Sequence, residues 1–207
     1  MLNYLLLLGW APEGEQEIFS LDEMIKIWDP ARISKSPAIF DPLKLRAINA
    51  AYIRALPAEE FRRLADPFID SAVHCSIDRD LLCANLQPRC EVLEDIPPQL
   101  DFFDAVLPID AEMYRNKKQK TSPESAKEAL TALLPVLEAQ TDWTRDAIFE
   151  ACKTLAENME KKNGWLLFPL GIALSGKSRT PGGGTDLAAM MGKEETVKRV
   201  KAALEKL

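Results

Sequence analysis

Histidine occurs once in this chain, no CxxC pair exists, and no apolar run approaches membrane-spanning length. The first scarcity weighs against histidine-based catalysis and metal binding. A multi-histidine metal site cannot be built on His74 alone, and no Ser/His/Asp or Cys/His arrangement stands out around it. The second absence argues against zinc ribbons and dithiol redox motifs. Cys75, Cys83, Cys90 and Cys152 are therefore expected as free thiols in a reducing, cytoplasmic setting. His74 and Cys75 are neighbours, but adjacent side chains seldom face one metal. The apolar start, Met1 to Trp10, is far short of the ~20 residues a membrane span needs. It has no basic leader and no small-residue cleavage site, so it does not read as a signal peptide. A buried helix stopped by Gly9 is expected instead. Alternation with period two is also scarce. Trp165 to Leu170 is the only segment to consider for a strand, and Pro169 argues against it.

What is present points to a helical globular protein. Its 207 residues suffice for one large or two small domains, and 47% hydrophobic against 28% charged residues is ordinary for a folded chain. The net charge of −6 is uneven: residues 1–100 carry 10 Lys and Arg against 16 Asp and Glu, whereas residues 101–207 carry 16 of each. An acidic chain weighs against nucleic-acid binding, although binding needs only a local basic face.

Helix signals recur along the chain. Ser20 and Glu23 form a capping box before a short helix through Trp28. Leu45, Ile48, Tyr52 and Leu56 repeat at helical spacing, and Pro57 starts a helix with Phe61, Leu64, Ala65 and Phe68 on one face. Asp78 or Asp80 can cap the next helix, which Pro88 limits. Ser122-Pro123-Glu124 starts a long one that Pro135 should kink. Thr144 caps a helix with Ile148, Ala151, Leu155 and Met159 inward, and the last helix begins near Lys193. Ile96-Pro97-Pro98 reads as a linker or hinge. The expected fold class is all-α, in two helical subdomains, 1–95 and 96–207.

Chemistry-bearing motifs are few. Gly171 to Ser178 satisfies the phosphate-loop pattern GxxxxGK[ST]. A true phosphate loop follows a strand and opens a helix at its lysine, but Pro181 and Gly182-Gly183-Gly184 come too soon for that helix. The pattern is therefore read as accidental. Arg115 to Lys120 is a basic cluster, and Arg145, Lys161, Lys162, Lys177 and Arg179 supply further cations. Either a solvated face or phosphate contacts would account for them.

In combination these residues resemble bacterial glutamyl-tRNA synthetases, in the part after the catalytic domain. The resemblance rests on Leu2-Asn3-Tyr4-Leu5, Leu8-Gly9-Trp10, Ser34-Lys35-Ser36-Pro37-Ala38-Ile39-Phe40-Asp41, Asn49 and Tyr52-Ile53-Arg54. It continues through Gln87-Pro88-Arg89, Phe102-Phe103, Lys117-Lys118-Gln119-Lys120, Asp142-Trp143-Thr144, Pro169-Leu170, Thr180-Pro181-Gly182 and Gly192-Lys193-Glu194. It covers nearly the whole chain in order. It implies a stem-contact region followed by a helical anticodon-binding cage that splays out and checks the anticodon bases of tRNA(Glu). By the same resemblance Arg54 reads the third anticodon base and Asn49 supports binding. Phe168, Pro169, Thr180 and Pro181 would wall the first base, and Lys117, Lys118, Lys120 and Lys177 would contact phosphates. The family usually has arginine where this chain has Gly171. The catalytic signatures of the family are missing, so no catalysis, no cofactor and no metal are expected of this chain alone. ATP and magnesium would belong to a separate catalytic domain, the second expected partner beside tRNA(Glu). A monomer and no membrane contact are expected. The alternative is a helical domain repurposed for protein–protein interaction, with weak or no tRNA binding.

Overall fold

The computed structural model describes residues 1–35 and 37–207; Ser36, part of the Ser34–Asp41 stretch, lies outside them. The helices are α1 (Leu2–Gly9), α2 (Leu21–Ile27), α3 (Pro42–Ala55), α4 (Ala58–Asp70) and α5 (Arg79–Leu86), then α6 (Pro123–Ala139), α7 (Arg145–Asn158), α8 (Asn163–Ser175), α9 (Gly184–Met191) and α10 (Lys193–Leu204). Single-turn 3-10 helices connect several of them. Among the described residues the only β pairing is two isolated bridges, so the class is all-α as expected.

Capping chemistry sets where the helices begin. The Ser20 hydroxyl accepts from the Glu23 amide while the Glu23 carboxylate accepts from the Ser20 amide, satisfying two donors that a helix start leaves orphaned. Asp78, not Asp80, caps α5, and Ser122 and Thr144 cap α6 and α7. α6 continues through Pro135 to Ala139. Pro135 and Thr131, whose carbonyl loses its helical partner, both face solvent, where water can take the freed acceptor.

α8 is apolar nearly all round and so must be enclosed. It packs against α6, α7, α9 and α10 and forms the axis of the C-terminal bundle. One continuous apolar cluster runs from Ile53 to Ala203. It includes Ile96, which is fully buried, and the chain then makes the 3-10 turn Pro97–Gln99, in which Pro97 is half-buried and Pro98 exposed. In α7 the buried face is Ile148, Cys152 and Ala156, one position on from the expected Ala151 and Leu155.

The N-terminal segment is built differently. α1 was expected to be buried, but only Asn3 and Tyr4 are; Leu2 and Leu5 are 61% and 52% exposed. The reason is that α1 meets α3 along one face and is anchored by polar groups. Asn3 donates to Glu17 O (2.7 Å) and accepts from Phe19 N (2.8 Å) and the Tyr52 hydroxyl (2.9 Å). The Tyr4 hydroxyl accepts from Asp41 N. Of thirteen exposed large apolar side chains among the described residues, twelve lie in residues 1–43.

Candidate nucleic-acid interface

The cleft of interest lies between the start of α7, α8, the loop 177–183 and the start of α9, with a volume of about 780 Å³. Arg89, Arg145, Lys177 and Arg179 line it against one carboxylate, Asp186. This concentrates positive charge in a chain whose net charge is −6. Phe149, Leu167 and Phe168 give it apolar walls.

Local folding explains each position. α8 ends at Gly176, left-handed at φ 70, where a Cβ would meet Leu107 O at 2.7 Å; only glycine fits this turn. The chain then reverses through Lys177–Gly183, where the Thr180 hydroxyl donates to Gly182 O at 2.6 Å. Asp186 stops the loop by accepting from Gly183 N at 2.7 Å, capping α9. The other oxygen of that carboxylate accepts from Arg145 Nε at 3.1 Å, and Asp146 accepts from Arg145 Nη1 at 2.8 Å. These contacts, with Asp146 first, raise the Arg145 pKa further and set its guanidinium 5.4 Å over the Phe149 ring.

The structure gathers some of the expected residues and disperses others. Phe168 and Thr180 line the cleft, while Pro169 and Pro181 are buried behind its wall. Lys177 lines it too, but its ammonium is ion-paired with Asp101 and donates to Pro98 O at 2.9 Å, so part of its charge is already answered. Lys117, Lys118 and Lys120 are exposed on a turn closed by the Asn116–Thr121 bridge. Asn49 lies apart, donating to Glu91 O at 2.6 Å and so tying α3 to the loop beyond α5. Arg54 is exposed near the end of α3 and is not among the cleft-lining residues.

Arg89, marked in the sequence only as part of a motif, lines the cleft. Its guanidinium donates to Thr180 O and Pro181 O, both at 3.2 Å, holding the loop across a separation of 91 and 92 residues. Phe149 and Gln99 are also cleft residues that no local pattern marked, whereas Arg145 and Gln119 belong to the cation clusters noted in the sequence. The Gln87-Pro88-Arg89 motif was the one available signal for Arg89.

The phosphate-loop pattern has the wrong backbone for its name. Gly171 to Ser175 is the end of α8, the Ser175 hydroxyl donates back to Gly171 O at 2.7 Å, and no helix starts at Lys177. The His74–Cys75 pair likewise forms no nucleophile. Asp104 accepts from His74 N, Cys75 N and the His74 ring, and these bonds, the ring first, hold its carboxyl well below the usual range. Burial and then the Asp104 carboxylate push the Cys75 thiol up, away from the reactive thiolate.

Comparison with known proteins adds to this geometry. The family described as "Anticodon binding domain" matches residues 44–204. Over all 207 residues the chain is 44% identical to a glutamate–tRNA ligase of Clostridium botulinum, of which it covers 43%. It is 43% identical to the Clostridium acetobutylicum glutamate–tRNA ligase, again covering 43% of that protein. The crystal structure of a glutamate tRNA ligase from Elizabethkingia meningosepticum superposes with a TM-score of 0.84 at 29% identity, covering 100% of this chain and 40% of that one. Glutamate-tRNA synthetase from Elizabethkingia anophelis gives a TM-score of 0.79 at 26% identity, covering 99% and 40%. The chain thus spans less than half the length of these relatives.

Proposed function

The chain belongs to the anticodon-binding domain family, in the form that glutamate–tRNA ligases carry, and we propose that it selects tRNA(Glu) for charging by a catalytic domain outside these residues. The observation that carries this reading is the basic, aromatic-walled cleft. Unstacked bases are recognised by apolar and aromatic faces, while cations hold the phosphates around them. A neutral solvated face would need no concavity and no gathering of Arg89, Arg145 and Arg179 from three separate parts of the chain.

The arginine that meets a base edge is Arg89 in this reading. It faces the cleft beside Thr180, whereas Arg54 does not line it. Lys117, Lys118 and Lys120 hold the RNA backbone. The exposed apolar side of residues 1–43 faces the catalytic domain. ATP and magnesium act in that domain, and the protein works as a cytoplasmic monomer.

Titration of this chain with tRNA(Glu), tRNA(Gln) and a third-base anticodon variant tests the proposal. Selective binding of tRNA(Glu) is expected. Arg89→Ala should cost about 1–3 kcal/mol of discrimination at one anticodon base, and Arg54→Ala less. The reverse ranking would return the base-reading role to Arg54. Equal binding of all three RNAs would favour the protein-interaction alternative.

A further inference from the structure

We propose that Gln119 determines specificity in this cleft, its side-chain amide reading a nucleobase edge of the bound RNA loop; this rests on the anticodon-binding reading above. The residue sits on the turn between Asn116 and Thr121, which exchange two backbone hydrogen bonds of 3.1 and 3.0 Å. Asn116 Oδ1 accepts from Lys118 N at 3.0 Å and Gln119 N at 3.1 Å, and Lys120 turns the chain at φ 56. The Gln119 backbone is therefore held before any ligand arrives, which lowers the entropy cost of using its side chain.

The side chain has a dedicated seat. It lies over Gly164 in the first turn of α8, where a Cβ would fall 1.8 Å from Gln119 Oε1 and 2.6 Å from its Cδ. The missing side chain of Gly164 is what leaves room for the amide on the cleft wall. Both residues line the cleft, and Gln119 is half-buried. Among the described residues no hydrogen bond holds the amide, which is not among the buried unpartnered groups and so is open to a ligand in the cleft.

The chemistry of the amide selects the ligand. It offers a donor beside an acceptor, the complement of a base edge that presents an acceptor beside a donor. A phosphate only accepts, so it would use the NH₂ and leave Oε1 facing negative charge. Phosphate contact falls instead to Lys117, Lys118 and Lys120 on the same turn.

The test is a binding titration of the 207-residue chain with tRNA(Glu) and a set of single-base anticodon-loop variants, repeated for Gln119→Ala, Gly164→Ala and Lys118→Ala. Gln119→Ala should lose roughly ten- to a hundredfold of discrimination at one loop base, with an unchanged salt dependence and thermal melt. Gly164→Ala should lose discrimination at that same base, because it unseats the amide without removing it. Lys118→Ala should do the opposite, keeping discrimination while flattening the salt dependence. A wild-type chain that discriminates, paired with a Gln119→Ala variant that discriminates equally at every base or weakens all RNAs uniformly, would overturn the role of Gln119 alone. A wild-type chain with no discrimination would overturn this proposal together with the reading it rests on.

Discussion

Arg199 shows how much one residue can decide here. It is 3% exposed, and a buried guanidinium is tolerated only when every donor has a partner. Its donors reach Phe102 O (2.7 Å), Phe103 O (2.6 Å), Leu174 O (2.6 Å) and the Glu195 carboxylate (2.7 Å). One side chain thus fastens α10 to the 102–103 loop and to the end of α8, one turn from the cleft. Arg199→Ala should destabilise the fold by about 3–5 kcal/mol, since it leaves buried carbonyls and a carboxylate unpaired. Urea unfolding measures this, and a loss below about 1 kcal/mol would show that water replaces the guanidinium. Arg199→Lys should recover only part, because an ammonium cannot reproduce the fork. Nothing in the sequence marked this arginine, since its four partners lie between 4 and 97 residues away.

The decisive contact between elements is the crossing of α8 and α9 at Gly171 and Gly184. A Cβ on Gly184 would meet Leu167 O at 2.6 Å and Gly171 N at 3.0 Å, both backbone atoms that cannot give way cheaply. A Cβ on Gly171 meets only Gly184 Cα and N, at 3.8 Å, which is ordinary contact. Two substitutions in one crossing should therefore diverge. Gly184→Ala should cost about 1–3 kcal/mol of stability as the helices separate. Gly171→Arg should fold, place a cation in the cleft, and tighten tRNA binding with a salt slope steeper by about 0.7 to 1. Parallel melts and titrations decide, and a Gly171→Arg protein that fails to fold would mean that the cleft wall lacks the space assigned to it. Helix starts were readable at this scale because a cap and its target lie three residues apart, as at Ser20, Ser122 and Thr144. Buried faces were less so. The inward side of α7 depends on where α8 and α9 lie, and the exposed side of α1 on what α3 leaves uncovered.

For the whole molecule, total charge and local charge point in opposite directions. A net charge of −6 argues against an RNA partner, yet four cations line the cleft. Two of them, Arg145 and Lys177, are partly answered by Asp146, Asp186 and Asp101, while Arg89 and Arg179 have no carboxylate paired with them among the described residues. Local potential governs contact at physiological salt, because charges beyond about 8 Å are screened. Binding of tRNA should therefore weaken steeply with salt despite the acidic chain. The slope of log K against log salt should be near −3 if about four phosphates are met at the single-strand value of −0.7 each. A flat salt profile would remove the electrostatic basis of the reading. The 177–183 loop and the 116–121 turn belong to this scale as well, since each supplies cleft residues only because the bundle brings it beside α8.

By itself the sequence determined the all-α class, the helix starts, the absence of a phosphate loop and, through resemblance, the family. These follow from short-range spacing or from motif order, which a linear chain carries intact. Only the tertiary structure decided that Arg89 enters the cleft and Arg54 does not, that Lys177 is answered by Asp101, and that Gln119 is seated by the missing side chain of Gly164. The physical reason is distance along the chain. Arg89 meets Thr180 across 91 residues and Lys177 meets Pro98 across 79, and no periodicity encodes such meetings before the helices pack.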